Sequence, residues 1–226
     1  MTTKEFSDAF DTLINTYGDS SRTIALDEYE KSLFLTQAQE QIIVELYTGR
    51  NNKASSFEET EELRSNLKGL IKTVPIPESE EAFNGISEYS KFFILPKDVL
   101  FITYEVATIS DESAGCKNGS KIPVIPVTQD EFNRVMNNPF RQASKRRALR
   151  LDNSLDVAEI VTKYNIKDYT IRYLSKPTPI VVADLEGVSI DKVDKITECK
   201  LNSAMHRYIL ERAVALAIAN RSIQNK

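Results

Sequence analysis

The sequence contains few of the residues from which enzymes commonly build their sites. Its 226 residues include one histidine, two cysteines, seven glycines and no tryptophan. One histidine excludes the zinc-binding HExxH motif, and the few glycines form no phosphate-binding loop of the Walker type. Two distant cysteines provide neither a disulfide framework nor a zinc site. Any catalysis of the Ser-His-Asp or Cys-His type would therefore depend on the one histidine, His206.

Long apolar runs are absent as well. No stretch reaches the roughly 18 residues that span a bilayer. The first residues, Met-Thr-Thr-Lys-Glu-Phe, are not followed by the apolar core of a signal peptide. The two cysteines are expected to be reduced thiols, as in cytoplasmic proteins. These features predict a soluble protein that is made in the cytoplasm and does not enter a membrane.

The positive charge of the chain is concentrated in one segment. The net charge is −4 and the sequence pI is about 5.3, which argues against nucleic-acid binding over the whole surface. Five cations nevertheless lie within ten residues that contain no acid: Arg141, Lys145, Arg146, Arg147 and Arg150. Two interpretations stay open. The segment contacts a phosphate backbone, or it is solvated or pairs with acidic segments of a neighbouring subunit.

The carboxylates do not form a recognisable catalytic set. Four glutamates within residues 58–62 fall in a predicted helix, where they indicate a solvated face and complement the helix start. His206 lies on another predicted helix, and a lone helical histidine is typical of an interface or surface residue. We therefore predict no enzymatic activity, no cofactor and no metal site. An enzyme with a carboxylate-based site is the least favoured alternative.

Amphipathic patterns predict long helices near both ends of the chain. Apolar residues recur at spacings of three and four over about 26–47 and 202–221. The same pattern predicts a shorter helix over 3–17, and Ser56 begins a capping box for a helix over about 57–71. Six residues on the two long stripes are candidates for a helix interface: Leu33, Ile42, Leu46, Met205, Ile209 and Leu216.

The middle of the chain shows the alternation of apolar and polar residues that is typical of β-strands. Strands are predicted over 92–95, 99–109 and 122–127, and the two prolines of the last one predict an edge position. Residues 157–164 and 169–174 are predicted to be paired strands joined by a turn. The fold class predicted from these elements is α+β, with a long-helix bundle from both chain ends and a β-rich inserted domain.

The predicted domain boundaries follow from this arrangement. Residues 1–73 are the N-terminal helical part of the bundle. Residues 74–198 are the β-rich insertion, which carries the basic segment. Residues 199–226 are the C-terminal helix that completes the bundle.

Several segments resemble proteins of one known class. They are residues 26–40, residues 124–132 leading to Asn138-Pro139-Phe140, residues 173–182, and Glu198-Cys199-Lys200-Leu201 before an alanine-rich helix. Their order resembles the head–tail connector proteins of tailed bacteriophages, and most closely the neck ring or adaptor proteins of crAss-like phages. The likeness covers most of the chain and includes no catalytic signature.

This resemblance implies a structural virion protein without enzymatic activity or cofactor. Such proteins form a homo-oligomeric ring, commonly of twelve copies, in the phage neck at the portal vertex. They contact the portal protein and other neck or tail proteins and surround the channel used in DNA ejection. The basic segment, residues 141–150, is then a candidate for the DNA channel or a subunit interface. The alternative function is a non-enzymatic accessory protein that binds a nucleic-acid backbone through this local segment.

Overall fold

The chain forms two compact units. One contains Met1–Leu70 and Pro177–Lys226, and the other contains Ile71–Lys176. Residues 177–198, which the sequence analysis assigns to the β-rich insertion, lie in the first unit. The computed structural model describes residues 1–17, 25–48, 65–81, 83–154 and 156–224.

The α-helices that are described in full are α1 (Thr3–Tyr17), α2 (Glu28–Thr48), α3 (Phe132–Met136) and α4 (Ser203–Gln224). None of the helices in the described ranges combines the length and apolar character needed to cross a bilayer. The helix predicted over 57–71 falls mostly outside the described residues. Residues 65–67 are helical and lead into a 3₁₀ turn at Lys68–Leu70.

The first two helices begin at reciprocal caps. The Glu5 amide donates to the Thr2 hydroxyl (3.3 Å) while the Thr2 amide donates to the Glu5 carboxylate (3.0 Å). Asp27 and Glu30 exchange the same pair of bonds at 2.7 and 3.2 Å. Because a helix start leaves backbone N–H groups without partners, each capping box defines where its helix begins.

The predicted fold class, with a long-helix bundle from both chain ends, is wrong. The second unit is a seven-stranded mixed sheet, and in the first unit α2 packs against the non-helical segment 177–202 as well as against helices. A non-helical segment leaves backbone N–H and C=O groups to which polar side chains of a neighbouring helix can bond. Three side chains of α2 bond backbone groups of this segment: Ser32 with Val182 N (3.1 Å), Thr36 with Ile180 N (3.1 Å), and Gln39 with Thr178 O (3.0 Å).

The sheet of the second unit has the strand order β1-β7-β3-β4-β5-β6-β2. Only β4 and β5 pair in parallel, and the other neighbours are antiparallel. The strands are β1 (Ile71–Ile76), β2 (Ser90–Ile94), β3 (Val99–Ile109), β4 (Lys121–Pro126), β5 (Ala148–Ser154), β6 (Val157–Val161) and β7 (Ile166–Ser175).

The prediction that the strands now labelled β6 and β7 pair with each other is wrong. β6 lies between β5 and β2, whereas β7 lies between β1 and β3. The link between them is bonded to the end of β3 and does not form a hairpin turn. The Ser110 amide donates to the Asn165 carbonyl (2.8 Å), and the Asn165 amide donates to the Asp111 carboxylate (2.9 Å). These bonds direct β7 alongside β3.

The edge position predicted for β4 is also wrong, because β4 lies in the middle of the strand order. Its first half, Lys121–Pro123, pairs with β3, and its second half, Val124–Pro126, pairs with β5. Each half therefore has a ladder partner on one side, so the proline nitrogens, which cannot donate, are tolerated as they would be at an edge.

The sheet buries apolar side chains on both of its faces. On one face the Tyr169 ring lies 5.3 Å from that of Phe93, within a cluster that includes Ile160. On the other face the connection between β4 and β5, residues 127–147, covers the sheet. Its buried side chains Phe132 and Ala143 pack with Leu149, Leu151 and Val161. This second cluster positions residues 141–147, the part of the basic segment that precedes β5.

Tyr173 makes the sheet unit sensitive to alkali. Its buried hydroxyl donates to Asp98 (3.0 Å), and burial together with this carboxylate raises the pKa of Tyr173 from 10.0 to about 12. The unfolded state loses this proton first, so the free energy of unfolding falls between pH 10 and pH 12. We expect Tyr173→Phe to reduce this alkaline loss by about 2 kcal/mol in urea titrations at pH 9 and pH 12. An equal alkaline loss in both proteins would contradict the assignment.

Candidate interface site

The basic turn, residues 138–147, lies before β5 and is held by hydrogen bonds between its own residues. Asn138 begins it, since its side chain accepts from the Phe140 amide (2.9 Å) and its carbonyl accepts from the Arg141 amide (3.0 Å). Ser144 and Arg147 then exchange backbone hydrogen bonds of 2.9 and 3.2 Å. Ala143, between these two bonded parts, is buried in the core. The turn is thus held at both ends and in its middle.

Several side chains of the basic turn are exposed to solvent. Phe140 is 87% exposed, the highest value among the large apolar residues described. Within the described part of the chain, no carboxylate forms an ion pair with the four cations of the turn. Arg141, Lys145 and Arg146 are exposed, and Arg147 is partly buried. The turn therefore presents an exposed aromatic ring and cations that pair with no carboxylate of the described residues.

Arg150 is separated from this group and lies inside the sheet. Its side chain is 12% exposed, and Nη1 donates to Glu105 Oε1 at 2.8 Å. The Tyr169 hydroxyl donates to the other oxygen of Glu105 at 2.5 Å. Burial raises the pKa of Glu105 despite the opposing charge of Arg150. Burial lowers the pKa of Arg150, but the charge of Glu105 outweighs it, so that pKa is raised and the guanidinium stays charged.

An acidic segment, residues 78–89, lies outside the edge strand β2. The Ser79 amide donates to the Phe92 carbonyl (2.8 Å), and the Ile86 amide donates to the buried carboxylate of Glu159 (2.7 Å), which also accepts from Ser90. A Cβ on Gly85 would lie 2.5 Å from that of Ser90, so a side chain there would displace this packing.

The exposed side of the acidic segment combines charge with apolar surface. Ile86 is 49% exposed and Tyr89 is 41% exposed. Glu80, Glu81 and Glu88 are also exposed, and residues 78–89 contain no lysine or arginine. This surface was not predicted from the sequence, because the segment has no periodicity. The available signal was the presence of two large apolar residues in an otherwise polar, acidic connection.

The basic turn and the acidic segment lie at the same end of three neighbouring strands. Val161 is paired with Leu149 on one side and with Ser90 on the other. The starts of β5 and β2 are therefore two strand spacings apart, about 10 Å. The link after β6 contacts both features. The Lys163 ammonium donates to Gln142 (3.2 Å), and the Thr162 amide donates to the Tyr89 carbonyl (3.2 Å).

The structure places most of the candidate helix-interface residues in the core of their own unit. Ile42, Leu46, Met205 and Ile209 are all less than 9% exposed. Leu216 is partly buried. Leu33 is 41% exposed. Of these six candidates, Leu33 therefore has the most surface left for a second protein.

The His206 side chain is buried and hydrogen-bonded within the fold. Its ring is buried and lies 5.3 Å from the Phe6 ring. Nδ1 accepts a hydrogen bond from the Met1 amine (2.7 Å), which places the proton on Nε2, 3.3 Å from the Leu201 carbonyl. Burial and the nearby amine lower the pKa of His206. Among the residues described, no cluster of three or more His, Cys, Asp or Glu side chains could hold a metal ion.

Comparisons with known proteins agree over the whole length of the chain. The family model described as "Phage tail ring protein 3/4" matches residues 1–226. The chain is 50% identical over 224 residues to "Ring protein 3" of Bacteroides phage crAss001, covering 98% of this chain and 97% of that relative. It is 31% identical over 230 residues to "Ring protein 4/5" of the same phage, covering 97% and 93% respectively.

These matches confirm the resemblance inferred from the sequence at the level of a ring protein of crAss-like phages. The matched residues include both of the units into which the chain divides. The chain belongs to the phage tail ring protein 3/4 family and is a structural ring protein of the virion.

Proposed function

We propose that this protein forms a ring in the neck of the virion that joins the portal to the tail and surrounds the DNA channel. The observation that carries the proposal is the match to ring proteins over residues 1–226. A ring forms when one surface of a subunit binds a different surface of the next and the rotation closes. We expect twelve copies, as the resemblance implies, together with contacts to the portal protein and other neck or tail proteins.

The proposed role is non-enzymatic. The one histidine is held by Phe6, Leu201 and the N-terminal amine, so no general base of that type faces a cleft. The basic turn is held by its own hydrogen bonds, and no carboxylate of the described residues pairs with its cations, so it is a candidate contact surface for a ring subunit. Synthesis in the host cytoplasm precedes incorporation into the virion at the portal vertex.

The basic turn is our candidate for the DNA channel or the subunit interface. Arg141, Lys145, Arg146 and Arg147 are available for either role, because no carboxylate of the described residues neutralises them. The predicted site also included Arg150, which instead contacts Glu105 inside the sheet. We propose that Arg150 supports the fold beneath the site and that the other four make the external contact.

Mass photometry with the isolated portal protein tests the neck assignment. We expect the chain to form rings and to add to the portal in a fixed number of copies, with matching rotational symmetry in averaged electron micrographs. Copies that stay monomeric beside the portal at every salt concentration would contradict the proposal. A label fused to the chain that appears in virions away from the neck would also contradict it.

The basic turn also favours a second candidate function, a non-enzymatic accessory protein that binds a nucleic-acid backbone. This function predicts retention on duplex DNA that falls steeply as salt increases, because bound phosphates release counterions. Reversing Arg146 and Arg147 to glutamate should then abolish retention. Retention without ring formation would favour this candidate, and ring formation without retention would exclude it.

A further inference from the structure

We infer that the basic turn of one subunit binds the acidic segment of the next subunit, with the Phe140 ring covered by Ile86 and Tyr89. This inference rests on the proposed ring and names the contact that closes it. The partner is therefore a second copy of this chain, and the DNA backbone is the competing occupant that the experiment must separate.

Phe140 favours a protein partner over DNA phosphates. Phosphate contacts require cations and hydrogen-bond donors, whereas a ring that is 87% exposed offers only apolar surface. Aromatic side chains and arginine are enriched in the buried centres of protein interfaces. Arg141 follows Phe140 directly, and Arg146 lies on the same turn. The turn thus has the composition of an interface anchor.

The acidic segment complements the turn in both charge and apolar surface. Glu80, Glu81 and Glu88 are exposed, and no cation interrupts residues 78–89. Ile86, between Glu81 and Glu88 in the chain, and Tyr89, next to Glu88, provide exposed apolar surface. Opposite charges around an apolar centre increase the association rate and define the register of two subunits.

Both surfaces are held in place before they meet. Ala143 and the Ser144–Arg147 bonds anchor the turn, and Glu159 anchors the acidic segment. A preorganised surface loses little conformational entropy when it binds. No ion pair between the described residues joins the two surfaces within one chain, so each is available to a neighbour. The two surfaces lie about 10 Å apart in one chain, so the inferred contact requires the turn to bind one neighbour and the acidic segment to bind the other, as in a heterologous ring, and not both to bind one copy, as in a two-fold dimer.

Charge reversal in two complementary variants tests this contact. The first variant carries Arg146→Glu with Arg147→Glu, and the second carries Glu80→Lys with Glu81→Lys. Each variant alone places like charges in every contact, so we expect ring assembly to require on the order of a hundredfold more protein. An equal mixture restores opposite charges in alternating subunits, and assembly should return to within about threefold of wild type.

The control variant carries Lys97→Glu with Lys195→Glu, which changes the net charge by the same amount as the first variant at exposed sites elsewhere. We expect it to assemble like wild type, and melting curves establish that every variant is folded. If reversal leaves assembly unchanged while wild type forms rings, the inference is wrong and the ring proposal stands. If wild type forms no ring, the proposed function fails and the contact fails with it.

A photo-crosslinking side chain at position 140 identifies the occupant independently. We expect Phe140→p-benzoylphenylalanine to link two copies of the chain, with the crosslinked peptide within residues 78–91 of the second copy. Crosslinks to another region of the chain, or to DNA in assembled particles, would overturn the inference. Phe140→Ala should raise the protein concentration needed for assembly about thirtyfold, as expected for an interface anchor.

Discussion

Replacing Arg150 with methionine is expected to lower the free energy of unfolding by about 3 to 5 kcal/mol. The change leaves Glu105, whose side chain is 8% exposed, as a buried carboxylate without its cation. The Tyr169 hydroxyl still donates to Glu105, but one neutral hydrogen bond does not compensate a buried charge. Urea titration of the purified chain at neutral pH measures this loss.

Two further variants show whether the buried charge causes that loss. Glu105→Gln in the Arg150→Met background removes the charge and keeps an acceptor for Tyr169, so most of the stability should return. Arg146→Met makes the same chemical change on the exposed turn and should alter stability by less than about 0.5 kcal/mol. Equal losses for Arg150→Met and Arg146→Met would show that the pair in the sheet does not support the fold.

Leu35→Ala is expected to lower the free energy of unfolding by about 2 to 5 kcal/mol, because it opens a cavity in the core of the first unit. Leu35 lies on α2 and is fully buried, with 0% exposure. The sequence analysis did not place Leu35 on the apolar stripe of this helix. Thermal and urea unfolding of the full chain measure the effect.

Leu33→Ala is the matched control on the same helix. Leu33 is 41% exposed, so its truncation should change stability by less than about 1 kcal/mol. If Leu33→Ala instead lowered the free energy of unfolding as much as Leu35→Ala does, the assignment of the inner face of α2 would be wrong. An effect of Leu33→Ala on ring assembly alone would support its predicted role in a helix interface.

Variants of buried residues and variants of exposed residues separate effects on stability from effects on assembly. Arg150 is paired with Glu105 inside the sheet and Leu35 is buried in the core, so their loss weakens folding. Arg146 and Phe140 project from the surface, so their loss is expected to weaken contacts between subunits while folding persists. An Arg146 or Phe140 variant that melts normally but fails to assemble would therefore identify the basic turn as the place where subunits meet.

The sequence was sufficient to locate elements whose causes are local. Regular apolar spacing predicted α1, α2 and α4 close to their observed bounds. Alternation predicted β3 at its observed bounds, Val99–Ile109. These signals depend on neighbouring residues of the same element, so they can be interpreted without knowing what the element packs against.

The sequence was insufficient where a partner distant in the chain decides the outcome. The inner face of α2 was predicted as an apolar stripe, but Ser32, Thr36 and Gln39 are buried because the backbone of segment 177–202 bonds them. A pattern based on hydrophobicity cannot identify such residues, because burial of a polar group depends on the partner it finds. The order of the strands depends in the same way on which distant segments pair.

The same distinction between local sequence and tertiary structure applies to the candidate site. The sequence by itself determined that five cations lie within residues 141–150, that catalytic histidine chemistry has at most one residue to use, and that the chain resembles phage ring proteins. Only the tertiary structure decided that Arg150 is neutralised inside the sheet by Glu105, 45 residues away in the chain, while Phe140 stays uncovered. Composition and spacing are properties of neighbouring residues, whereas exposure and ion pairing depend on where the folded backbone brings distant residues together.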